Sequence, residues 1–86
     1  MTIYETIKAA ISVKQAAEHY GLKVSHNGMA CCPFHNDRHP SLKLNEDYFF
    51  CFGCGGKGDV IDLVARLFNL SSYEAAQKLA ADFGLD

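Results

Sequence analysis

The sequence predicts an α+β fold: a small antiparallel sheet of three to four strands flanked by N-terminal and C-terminal helices. Three observations predict it. Apolar residues recur at helical spacing at both ends of the chain, while residues 22–52 break into short apolar or alternating runs separated by turn formers. Two pairs of metal-ligating residue types, Cys32 with His35 and Cys51 with Cys54, punctuate that middle stretch.

The N-terminal helices come first, over about residues 3–20. One stretch opens near Ile3 and a second runs from about Val13 to Tyr20. Ser12 followed by Gln15 makes a capping box, Ile11 with Ala16 suits a hydrophobic staple, and Gly21 is the natural stop. The sheet is expected over about residues 22–52, with strands at 22–25, 29–32, 42–44 and 48–52. His26-Asn27-Gly28 and Asn45-Glu46-Asp47 are hairpin-sized connections between them. The C-terminal helices follow at about 59–69 and 72–83. Asp59 caps the first, whose apolar stripe is Val60, Ile61, Leu63, Val64, Leu67 and Phe68. Ser71 with Glu74 opens the second, which carries Ala75, Ala76, Leu79, Ala80 and Phe83 and ends at Gly84. These stripes read as core.

The chemistry lies between the helices. In CPFH and CFGC each pair of ligand types is three positions apart, so both members reach inward from one tight turn, and fifteen residues separate the two pairs. Pro33 restrains the first turn, and Gly53, Gly55 and Gly56 free the second. Zinc prefers thiolate and imidazole donors in a tetrahedron, so Cys32, His35, Cys51 and Cys54 are expected to hold one structural Zn2+ in a zinc-ribbon-like sheet. Cys31 with His35 would stretch the first pair to a four-residue step and lose the symmetry with the second. By alternation Cys31 should point away from Cys32 and behave as a small buried hydrophobe. His19, His26 and His39 read as surface imidazoles. With all four positions filled by protein, no position is left open for catalytic water, and no second motif supports an iron–sulfur cluster.

Eighty-six residues make one small domain, 1–86, with no long apolar run and no cleavage-like segment at its start, so neither a membrane span nor export is expected. The close ligand pairs favour metal over disulfides, and with it a reducing, cytoplasmic setting. A chain of this size buries a limited apolar area, and zinc is expected to supply much of its folding free energy. Nucleophile–base pairs, phosphate-cradling loops and acidic clusters for magnesium are absent from the sequence, so no enzyme activity is expected of this chain by itself.

CPFHNDRHPSL, then YFFCFGC, then GGKGDVIDLV, together with the flanking helices, resemble the Cys-His-Cys-Cys zinc-binding domain of bacterial DNA primases of the DnaG type. The resemblance covers nearly the whole chain. It implies that the four ligands hold zinc in a ribbon-like sheet, and that the domain helps a primase engage single-stranded template DNA and select where a primer starts. Polymerisation chemistry in that family belongs to a following catalytic domain. The chain stops at Asp86, before any such domain, and is expected to be either a part of a larger primase or a small protein keeping only the template-binding part.

Single strands are held by basic side chains on phosphates and aromatic faces on bases, which singles out Arg38, Lys43, Tyr48, Phe49 and Lys57 near the metal. The resemblance also places a basic residue at Arg38. Phe34 and Phe52 are expected to be core; if Phe50 and Phe52 face the helices, alternation puts Phe49 on the opposite sheet face with Cys51. A formal net charge of -2, lowered further by thiolate ionisation, predicts weak and salt-sensitive DNA affinity, with most of the useful affinity coming from a partner such as a primase catalytic domain or helicase. The competing reading is a zinc-stabilised protein-interaction module that docks on a primase or helicase through its acidic helices, which carry Glu5, Glu18, Asp62, Glu74 and Asp82.

Overall fold

The computed structural model describes residues 2–33 and 40–85. Among them the chain runs α1 (Ile3–Ala10), α2 (Val13–His19), β1 (Met29–Cys31), β2 (Pro40–Leu44), β3 (Phe49–Cys51), β4 (Lys57–Gly58), α3 (Val60–Phe68) and α4 (Ser72–Asp82). The strands form one antiparallel sheet in sequence order.

Each helix starts where its cap dictates. The Thr2 hydroxyl accepts the Glu5 amide at the start of α1. Reciprocal capping boxes open the other three: Ser12 with Gln15, Asp59 with Asp62 and Ser71 with Glu74. Gly21, at φ 91°, ends α2 in the left-handed conformation that glycine adopts without strain, and the Leu22 amide returns 2.9 Å to the Ala17 carbonyl.

That closing bond accounts for one departure from the sequence reading. Residues 22–25 form no strand: the Leu22 amide is spent on the helix end, and Ser25 is drawn into a tight turn in which its amide donates to the Met29 carbonyl at 2.9 Å. The fourth strand is instead Lys57–Gly58, within the glycine-rich stretch that reads from sequence as turn and helix start.

The apolar stripes meet in one core. Ile7, Val13, Ala16, Leu63, Val64, Ala75 and Leu79 are fully buried, and α3 packs against α1, α2 and α4. From the sheet, Ala30, Leu42, Leu44, Phe49 and Cys51 join the same cluster. Residues two apart along a strand share a face, so these inward side chains fix which side of the sheet is covered and which is open. The Val13 amide donates to the Glu46 carbonyl at 3.0 Å, tying the start of α2 to the β2–β3 turn. No described helix is long and apolar enough to cross a membrane.

Candidate functional site

Three cysteines converge where the sheet meets the helices. Cys32 follows β1 and is buried, Cys51 ends β3 with no exposure, and Cys54 is exposed in the turn that follows. Their sulfur atoms all lie within 4.8 Å of one another. The second turn is built by its backbone: the Cys51 amide donates to the Gly56 carbonyl and the Gly55 amide donates to the Cys51 carbonyl, each at 2.8 Å. Gly55 takes φ 77°, which a side chain would resist, and this reversal brings Cys54 back toward Cys51. Ser41 stands beside the pair, its hydroxyl 3.6 Å from the Cys51 sulfur.

Strand alternation selects Cys32 over Cys31. Ala30 pairs with Leu42 and faces the core, Cys31 turns outward beside Pro40, and Cys32 turns inward again. Cys31 points away from Cys32 as expected but is exposed, which corrects its reading as a buried hydrophobe. No disulfide joins any of the four cysteines. His35, the expected fourth ligand, lies outside the described residues, as do Phe34, Arg38 and His39.

The donor set fits zinc. With Zn–S bonds of about 2.3 Å, the sulfurs of a tetrahedral site stand about 3.8 Å apart, a modest contraction from the spacing seen here. Two of the three thiols are buried, and three sulfur donors converging on one point match the closed, thiolate-rich coordination of a structural ion. Cys32, Cys51 and Cys54 would hold the metal, which would supply a crosslink between β1, β3 and the turn after β3.

The open face of the sheet carries a second set of residues. Met29 lies opposite Lys43, Lys43 opposite Phe50, and Phe50 opposite Lys57, so one row crosses all four strands. Phe52 is 68% exposed, with its ring 5.1 Å from that of Phe50 in an edge-to-face arrangement, and Tyr48 is 55% exposed at the other end of the strand. Lys43 donates to the Asn27 carbonyl at 2.5 Å, which fixes its ammonium at the β1–β2 edge. Two expectations are corrected. Phe49 is fully buried, and Phe52 is the exposed ring rather than a core one. Phe49 does share a face with Cys51, but that face is the covered one, opposite Leu44 and Leu42. The sequence reading therefore missed Phe50 and Phe52 as open-face aromatics. Cys51 held the signal, since a strand residue facing a buried metal puts its neighbours at 50 and 52 on the other side.

The histidines in the described part stand away from the thiols. His19 is exposed with its ring 4.6 Å from that of Phe83, and His26 is exposed in the β1 approach.

Comparison with known proteins brings these observations together. The family profile described as CHC2 zinc finger matches residues 1–86. The chain is similar to the DNA primase of Helicobacter pylori strain J99, with 36% identity over 96% of this chain and 14% of that protein. It is also similar to the DNA primase of Salmonella typhimurium, with 33% identity over 98% of this chain and 13% of that protein. Among solved structures it resembles the Aquifex aeolicus primase, determined with its zinc-binding and RNA polymerase domains: TM-score 0.82 and 31% identity over 98% of this chain and 22% of that one. The chain thus spans about a seventh of the length of the curated relatives it matches.

Proposed function

The chain belongs to the CHC2 zinc-finger family, and from that premise we propose that it is the single-stranded DNA template-binding module of a DNA primase or primase-like replication protein, helping to select where a primer starts. In this reading residues 1–86 are one cytoplasmic zinc-binding domain with no polymerisation chemistry of its own. Catalysis belongs to a primase catalytic domain, which with a replicative helicase is its expected partner.

The observation that carries this reading is the row of Lys43, Phe50 and Lys57 across the open sheet face, flanked by Tyr48 and the exposed Phe52. Bases stack on aromatic faces whatever their sequence, while ammonium groups track the phosphates, so alternating lysine and phenylalanine on one face suits an unpaired strand. A duplex buries its base faces and leaves the aromatics little to grip. Arg38 joins this set as a proposed phosphate contact. Phe49 is withdrawn from it by its burial.

The covered face gives the open one its shape. Zinc fixes the ends of β1 and β3, and the core beneath Leu42, Leu44 and Phe49 holds the strands that display Lys43 and Phe50. The metal acts at one remove from the nucleic acid: it sets the spacing of the binding residues and touches no phosphate. The formal net charge of -2 keeps the intrinsic affinity low and makes the local lysines decisive.

The test is fluorescence anisotropy with single-stranded and duplex oligonucleotides at two salt concentrations, on protein of measured zinc content. Lys43→Ala and Lys57→Ala are each expected to lower the salt slope by about 1, and Phe52→Ala to weaken binding by about 1–3 kcal/mol at unchanged slope. Equal affinity for both nucleic acids, or binding indifferent to all three substitutions, would overturn the assignment. Absence of binding at low salt with one zinc bound would favour the protein-interaction reading.

A further inference from the structure

We propose that Arg66 guards the zinc site, acting as a positioning and charge-balancing residue for Cys54, the exposed member of the thiol set. The case begins at Gly56. A Cβ built there would run into the Arg66 guanidinium and would lie 3.5 Å from the Cys54 sulfur, so the arginine head and the thiol both border the space above this glycine. Gly56 is no passive neighbour. Its carbonyl accepts the Cys51 amide at 2.8 Å, closing the turn that presents Cys54. Arg66 reaches this point from the last turn of α3, so the helix that anchors the core also sends a cation to the back of the metal turn.

The surroundings make the position consequential. Pro33, Cys54, Gly55, Gly56, Arg66, Leu67 and Asn69 line one open groove. Cys32 and Cys51 are buried, so among the described residues Cys54, in this groove, is the sulfur of the set that water or a competing chelator can meet. Three thiolates around one divalent ion leave one net negative charge, and a guanidinium, always protonated, offsets it without competing for the metal. Outer groups that orient and balance metal ligands govern how tightly the ion is kept.

The absence of a side chain at position 56 is part of the device. Gly56 has no left-handed φ, so the backbone there would accept alanine, and the added methyl would displace only the flexible end of Arg66. Gly56→Ala therefore moves the charge away without removing it, while Arg66→Gln removes the charge and keeps a polar side chain of similar reach.

The experiment is zinc transfer from the full zinc-loaded chain to an excess of a colorimetric chelator, followed in time, with the cobalt(II)-substituted protein examined by absorption spectroscopy. Arg66→Gln and Gly56→Ala are each expected to speed zinc release roughly tenfold. The double variant should release no faster than the single ones, and Arg66→Lys should restore most of the retention. In the cobalt protein, loss of the nearby positive charge should move the thiolate charge-transfer band to longer wavelength, a change that mere loosening of α3 would not produce. Release rates and bands unchanged in both single variants would overturn the proposal. So would faster release accompanied by an unshifted band and no rescue by lysine, which would make Arg66 a packing residue. A wild-type chain holding no zinc would overturn the metal assignment itself and this inference with it.

Discussion

The helical part of the molecule and the sheet that carries the thiols are specified in different ways. Helices α2, α3 and α4 each open with a reciprocal capping box, and α3 lays four buried aliphatic residues against its neighbours. Their instructions are local: a cap, a 3.6-residue period and a stop. The strands have three, five, three and two residues, too few for independent stability, and the thiols stand at their ends. What fixes them is the shared core on one side and the metal at one end. The difference teaches that the sheet, unlike the helices, takes its geometry from distant contacts in the core and at the converging thiols, where an ion would add a crosslink, and that this part displays Lys43, Phe50 and Lys57.

The most forceful way to break that contrast is to remove the ion. Cys51→Ser, or zinc withdrawal by a chelator, is expected to remove most of the roughly 10–16 kcal/mol apparent contribution of a structural zinc and to loosen or unfold the chain around the sheet. Amide hydrogen exchange would check it: protection should vanish first in β1, β2 and β3, and a sheet that stays protected without metal would erase the contrast. Next in size is the core shared by both parts. Leu63 is fully buried on α3, and Leu63→Ala should cost about 2–5 kcal/mol in chemical denaturation of the zinc-loaded protein while leaving one zinc bound.

Smaller effects separate the parts more finely. Asp59 accepts the Asp62 amide at 2.9 Å and meets the Lys8 ammonium at 3.0 Å, so Asp59→Ala should cost about 1 kcal/mol, read as a lower denaturation midpoint. The same carboxylate gives a pH prediction. Burial alone would raise its pKa, but the bond from the Asp62 backbone and the pairing with Lys8 outweigh that and hold it below the ordinary value of 3.8. Glu74, held by the Ser71 amide and hydroxyl, and Asp82, held by Tyr20 and Lys78, are lowered as well. A carboxylate lowered on folding stabilises the native state above its unfolded pKa and loses that contribution as pH falls through its folded one. The helical caps should therefore weaken only below about pH 4, whereas zinc affinity at thiolate sites in general already falls at milder acidity, because protons compete with the metal. Zinc release should precede the loss of helical circular dichroism in an acid titration, and simultaneous loss would show the two parts to be one cooperative unit. The smallest effect is expected at Phe52, whose exposed ring can be cut to alanine within about 0.5 kcal/mol of stability.

How much of this was legible in the sequence follows the same division. The caps at Ser12, Asp59 and Ser71, the stops at Gly21 and Gly84, and the stripe from Val60 to Val64 are local signals, and they stand where the sequence puts them. The convergence of Cys32, Cys51 and Cys54 was readable because ligand chemistry demands a spacing. Residues 22–25 look like a strand by composition, yet the closure of α2 claims the Leu22 amide, a tertiary use that pattern does not carry. Lys57–Gly58 is too short to show any period. Phe49, Phe50 and Phe52 are consecutive or nearly so in an apolar run, and alternation alone leaves their faces undetermined. Only pairing with Leu42 and Leu44 decides that Phe49 goes in and Phe52 stays out.

The most direct test of the central claim, that the metal-fixed sheet presents its open face to an unpaired strand, is a nuclear magnetic resonance titration of the zinc-loaded chain with a short single-stranded oligonucleotide. The account predicts chemical-shift changes concentrated at Lys43, Tyr48, Phe50, Phe52 and Lys57, fading with added salt, while α4 stays unmoved. Changes centred on α1 and α4 with a silent sheet would contradict it.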